Sequence, residues 1–126
     1  MKHKVIILYN SKTGFTRSYA QLMAQALGCP ALPLAEAPAD LSEYSAVAFG
    51  SRLHAGSIDG WKKAQKVLSR RGAKKLVVFA TGAMPNEAED TIEKMWAQNL
   101  SAQEREAIPH FYLQAGLCYE KMGGVD

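Results

Sequence analysis

Apolar residues along this chain alternate between short unbroken runs and longer stretches where they recur every third or fourth position. Val5-Ile6-Ile7-Leu8-Tyr9, Ala46-Val47-Ala48-Phe49-Gly50 and Leu76-Val77-Val78-Phe79-Ala80 are unbroken, as strands buried on both faces should be. Phe111-Tyr112-Leu113 reads as the last strand. Ala31-Leu32-Pro33-Leu34 contains a proline that cannot donate to a ladder, so as a strand it belongs at a sheet edge. Between these runs, Phe15, Tyr19, Leu22, Met23, Ala26 and Leu27 recur at helical spacing, with Gly28 as a C-terminal cap. A second helix is predicted from about Asp59 to Arg71, with Ile58, Trp61, Ala64 and Leu68 on its apolar face and Gly72 ending it. A third opens on Asn86 as N-cap with Glu89 three residues on, and buries Ala88, Ile92, Met95 and Trp96. Ser101 and Glu104 form another capping-box signature, for a short extra turn.

Strands alternating with helices predict an α/β fold, a doubly wound parallel sheet within one domain spanning residues 1–126. An edge-type second strand favours the order 2-1-3-4-5, in which the first and third strands meet at a topological switch point. Ligands of such sheets bind there, beyond the carboxyl ends of the strands. The loops at that end run from Asn10 to Thr16, from Gly50 to Gly56 and from Thr81 to Pro85.

The first of these loops carries chemistry. Ser11-Lys12-Thr13-Gly14-Phe15-Thr16 offers three hydroxyls, a glycine that admits close backbone approach, and the amides of a helix N-terminus. Hydroxyls and amides donate to a phosphate, and the helix dipole favours its charge. The loop is not G-x-G-x-x-G and lacks the G-K-[ST] ending of a nucleotide-hydrolysing loop, so a mononucleotide phosphate suits it better than a dinucleotide. A polar turn that merely caps a helix is the competing reading of the loop alone.

The strand-S-K-T-G-F-T-helix unit resembles the phosphate loop of flavodoxins, whose pattern is [ST]-x-[ST]-G-x-T. The resemblance covers essentially the whole chain and implies a flavodoxin-like sheet with FMN as cofactor. It implies that Ser11, Thr13, Gly14 and Thr16 hold the FMN phosphate, with Lys12 and Phe15 contributing mainly backbone amides. It further implies that Ser51, Arg52, Leu53, His54, Ala55 and Gly56, together with Thr81, Gly82, Ala83 and Met84, wall the flavin ring. The ending Phe111 to Tyr119 is similar to a branch that includes the menaquinone-dependent protoporphyrinogen dehydrogenases, which implies a porphyrinogen or quinone-linked reaction. Electron transfer or flavin-dependent oxidoreduction needs no side chain as acid or base, and no catalytic residue is assigned.

Three features depart from that pattern. Neither ring loop contains an aromatic residue, leaving His54 as the flat partner available. The surface is basic, with a formal charge of +3 and a pI near 8.9, where flavodoxins of the electron-transfer type are acidic. Only about a dozen residues follow Leu113, where the fold has a fifth helix, so one sheet face is expected to be partly bare. That implies a partner, a self-association surface or a truncated chain, and a protein that self-associates or is marginally stable. A fold that has lost tight flavin binding and serves as a binding or assembly module therefore remains the alternative.

Charge is also unevenly spread. Eight basic residues and one acid, Asp59, lie between Arg52 and Lys75, whereas six acids face Lys94 and Arg105 between Met84 and Glu106. Solvated helix faces explain this, as does an acidic partner near the basic helix. No interleaved aromatics accompany the lysines, which argues against nucleic acid. A response-regulator receiver needs an aspartate where Gly50-Ser51 stands, and a small tyrosine phosphatase needs a loop cysteine and arginine that are absent after the first strand. Cys29 and Cys118 have no metal-type spacing and read as free thiols, and with no apolar run near ~20 residues the expected location is the cytoplasm.

Overall fold

The computed structural model describes residues 4–10 and 14–114. Its elements are β1 (Val5–Tyr9), α1 (Gly14–Leu27), β2 (Ala31–Pro33), β3 (Ala46–His54), β4 (Ser57–Ile58), α2 (Trp61–Arg70), β5 (Leu76–Gly82), α3 (Glu89–Asn99), α4 (Ala102–Ala107) and β6 (His110–Gln114), with a short 3-10 turn at Leu34–Glu36. The sheet order is β2-β1-β3-β5-β6, parallel throughout, while β4 pairs back on β3 as a hairpin. Counting the hairpin strand apart, this is the expected 2-1-3-4-5 order of a flavodoxin-like sheet. Pro33 sits on the edge strand, where its missing N–H costs no ladder bond.

Two apolar layers sandwich the sheet. On one face Ile6, Leu8, Val47, Phe49 and Val78 pack against Trp61, Ala64 and Leu68 of α2 and Met95 and Trp96 of α3. On the other, Ile7, Tyr9 and Phe79 pack against Ala20 and Ala24 of α1. The α1 stripe differs from the expected one: Thr16, Ala20 and Ala24 are buried, while Leu22 and Leu27 are 55% and 65% exposed. Bulky sheet residues fill that layer, so the helix seats most deeply through its smallest side chains, with the expected Tyr19 and Met23 packing at the margin and Leu22 and Leu27 turning outward.

Other boundaries also moved. The Asn86 cap does not form: α3 begins at Glu89 after Ala88, with no side-chain cap. Instead the Asn86 amide donates to Gln114 Oε1 at 3.1 Å, and Ala88 N–H turns back to Pro85 O. The predicted second helix starts at Trp61, because Ile58 pairs with Leu53 in the hairpin. The Ser101–Glu104 capping box forms in full. The expected absence of a fifth helix falls on residues 115–126, outside the described residues.

Candidate functional site

β1 and β3 run side by side until Tyr9 pairs with Gly50; β1 then leaves the sheet and β3 continues beside β5. That divergence opens the crevice. Gly50 has no room for a side chain, since an added Cβ would fall inside the Phe79 ring. Of the phosphate-loop residues, Ser11, Lys12 and Thr13 lie outside the described residues. Gly14 begins α1 with open space where a Cβ would stand, and no acid occupies the first turn. The positive end of the helix dipole is therefore not neutralised there from within the helix. Phe15 is half-buried.

Three hydroxyls named from the sequence turn inward. Thr16 and Thr81 are buried, and their Oγ1 atoms share a hydrogen bond of 2.9 Å that pins the start of α1 to the end of β5. The Ser51 hydroxyl, also buried, donates to Asp59 O at 2.6 Å, as does Asn10 Nδ2 at 3.4 Å. These groups satisfy one another in the way buried polar atoms must.

Arg52 is the exception. It pairs in register with Thr81, on the face that α1 covers, and its Nε is buried with no hydrogen-bond partner. Asp59 Oδ2 stands 3.7 Å away, close enough for ion pairing and too far for a good hydrogen bond. A buried N–H of a guanidinium is costly to leave unbonded, and the nearby Asp59 carboxylate offsets part of that cost, while 40% of the Arg52 side chain stays exposed.

Residues 51–56, expected as a loop, are mostly strand. β3 runs to His54 and turns through Ala55 and Gly56, whose φ values of 54° and 83° are those of a type I′ two-residue hairpin. Asn99 at the end of α3 clasps this hairpin: its Oδ1 accepts Ile58 N–H at 2.9 Å and its Nδ2 donates to Gly56 O at 2.9 Å. Across from it, the segment after β5 is held by β6, where the Tyr112 hydroxyl donates to Met84 O at 2.8 Å. Burial pushes the Tyr112 pKa up, which keeps that donor protonated.

Between hairpin and loop lies a cleft of about 320 Å³ that gathers Leu53, Gly56, Gly82, Ala83 and Met84. His54 and Ala55 are exposed at the hairpin tip and do not line it. α3 supplies the remaining wall through Thr91, Lys94, Met95 and Gln98. Sequence reading missed Thr91, Lys94 and Gln98; their spacing of three and four puts them on one helical face with Met95, the signal that would have found them. A second hollow of about 370 Å³ opens on the other side of β1, between Pro33, Leu34 and α2, and touches Asn10 but none of the ring-loop residues. Among the described residues no group of histidine, cysteine or acidic side chains is placed to hold a metal, and burial raises the Cys29 pKa, so its thiol is not activated.

A family model described as a flavodoxin domain matches residues 6–126. Among solved structures, the chain is similar to a flavodoxin from the domain Archaea, with a TM-score of 0.61 at 16% identity over 89% of this chain and 83% of that one. It is also similar to a flavodoxin, WrbA-like protein from Agrobacterium tumefaciens, with a TM-score of 0.56 at 16% identity over 90% and 84% of the two chains. The flavodiiron protein from Giardia intestinalis gives a TM-score of 0.54 at 17% identity; 96% of this chain matches 33% of that longer one. No curated protein matches by sequence. At these identities the structural likeness speaks for the fold.

Proposed function

Because the chain belongs to the flavodoxin domain family, we propose that it binds FMN and works in electron transfer or flavin-dependent oxidoreduction. The observation that carries this reading is the cleft in which Leu53, Gly56, Gly82, Ala83 and Met84 converge from two distant loops. Groups on both faces at this end of the sheet fit parts of the cofactor. The amide end of α1 at Gly14 and the partly exposed Arg52 guanidinium suit a phosphate, and the apolar walls of Leu53, Met84 and Met95 suit a flat ring.

In this reading the flavin, when bound, supplies the electron exchange, and the chain binds and orients it. Ser11, Lys12, Thr13, Gly14 and Phe15 hold the phosphate. Thr16 acts at one remove, through its bond to Thr81, by fixing where α1 begins. Arg52 contributes its side chain, not only its backbone. Asn99 and Tyr112 set the positions of the two ring walls. The closing segment from Phe111 supports a porphyrinogen- or quinone-linked substrate, of the kind used by menaquinone-dependent protoporphyrinogen dehydrogenases; its residues beyond Gln114 lie outside the described residues.

FMN titration followed by flavin fluorescence tests the proposal. Saturable quenching at one FMN per chain is expected, and Arg52→Met should weaken it about tenfold, the worth of one charged hydrogen bond. Folded protein that leaves FMN fluorescence unchanged would overturn the reading. One observation favours the alternative of a binding or assembly module: among the described residues no aromatic side chain lines the cleft. Each stacked ring adds about 1–3 kcal/mol in comparable nucleotide sites, so binding is expected to be weaker than in an aromatic-sandwiched site by one or more decades.

A further inference from the structure

The outer face of α2 carries Lys62, Lys63, Lys66 and Arg70, all exposed, and no acid lies within the helix. Among the described residues the close ion pairs are Lys4–Glu43 and Arg52–Asp59, so none of these four cations makes one, and Glu104, which feels the charge of Lys62 at longer range, is the one acid in the groove beside them. Beside them runs an open groove of about 650 Å³ between α2 and α4, with Lys62, Lys66 and Arg70 along one side and Gln65 and Glu104 on its floor. We propose that this groove docks an extended acidic segment of a partner protein. In naming that partner as the redox partner the inference rests on the flavin reading; the docking does not.

Spacing supports the occupant. Positions 62, 66 and 70 repeat every four residues, which is about 6 Å of helix rise. An extended peptide presents same-side residues every two positions, about 6.7 Å apart. Acids at alternate positions of a strand therefore meet the cations nearly in step. The floor favours a peptide over a phosphodiester. Gln65 Nε2 donates to Glu104 Oε2 at 2.7 Å, which leaves the Gln65 carbonyl and the Glu104 carboxylate as acceptors for main-chain N–H groups. The hydrogen bonds from Gln65 and then Ser101 hold the Glu104 pKa down, so that acceptor stays ionised. Acceptors of this kind need N–H donors, which a peptide backbone has and a phosphodiester backbone lacks, and no exposed aromatic on α2 is present to stack a base. No apolar residue on this face is available to insert into a membrane.

The position matters for function. α2 begins two residues after Asp59, whose carbonyl anchors Ser51 and Asn10 at the crevice. A partner on this stripe sits beside the cleft without filling it. With an all-polar face the complex should form fast, bind weakly and respond steeply to salt, as a turnover partner requires.

A short fluorescein-labelled peptide of alternating glutamate and alanine, titrated with the full chain and followed by anisotropy, is the probe. Saturable binding is expected at low salt, weakening about tenfold when ionic strength rises tenfold. The triple variant Lys62→Ala, Lys66→Ala, Arg70→Ala should weaken it about tenfold, whereas Lys74→Ala with Lys75→Ala should not. Far-UV circular dichroism verifies folding, and the milder Lys66→Glu variant should show the same loss. No binding at low salt, unchanged binding by the triple variant, or tighter binding of a uridine oligonucleotide or of phosphatidylglycerol vesicles would overturn the proposal. FMN titration of the same triple variant separates the two readings. Lost peptide binding with intact FMN binding concerns the groove alone, and failed FMN binding with intact peptide binding concerns the flavin alone.

Discussion

Gly50 and Phe79 illustrate how one missing side chain sets a local structure. The Phe79 ring lies across the bare backbone of Gly50 and stacks on Phe111 with centroids 5.6 Å apart. Gly50→Ala would drive a methyl into that ring within a close-packed layer, and a loss of about 2–3 kcal/mol in urea unfolding is expected. An unchanged midpoint would mean the ring moves freely. Ala55 is the opposite case: its φ of 54° is a left-handed conformation that costs an alanine energy a glycine does not spend. Ala55→Gly should therefore stabilise the chain by about 0.5–1 kcal/mol, after the added freedom of the unfolded glycine is counted. Thermal melts of the two proteins, run side by side, decide the sign.

At the scale of elements, α4 is held by a reciprocal cap in which Ser101 Oγ accepts Glu104 N–H and Glu104 Oε1 accepts Ser101 N–H. Because the Glu104 pKa is lowered in the folded chain, its contribution is complete above the ordinary carboxylate value and is lost as pH falls through the lowered one. Between neutral pH and about pH 3 the wild type should lose more stability than Glu104→Gln; parallel curves would remove Glu104 from the acid response. This cap was legible in the sequence because both partners are local. The strands were legible too, since unbroken runs such as Val5–Tyr9 leave no other arrangement for so many apolar side chains. Asn86 was misread because a distant residue, Gln114, takes its amide, and no local pattern records that. The same holds in the crevice. The order of the strands located it, but the inward turn of Thr16, Ser51 and Thr81 depends on partners up to 65 residues away. The hairpin escaped notice because Ala55-Gly56 is not the usual Asn-Gly pair.

For the molecule as a whole, a ligand that binds only the folded state raises its stability by mass action. FMN at a hundredfold excess over its dissociation constant should add about 2.7 kcal/mol, or about 10 °C in the melting temperature of a chain this size. A melt that ignores FMN at that excess would count against the cofactor. Among the described residues no helix is long and apolar enough to cross a membrane. The Asn99 clasp ties the behaviour of distant parts together. Its side chain reaches Ile58 N–H and Gly56 O in the hairpin while also donating to Met95 O one turn back in its own helix. The hairpin is thus fastened to the last turn of α3 as well as to β3. Fraying of that turn would release the Ile58 amide, so hydrogen exchange is expected to show similar protection at Ile58 and in that turn. Loosening one wall of the cleft is thereby tied to the last turn of the neighbouring helix.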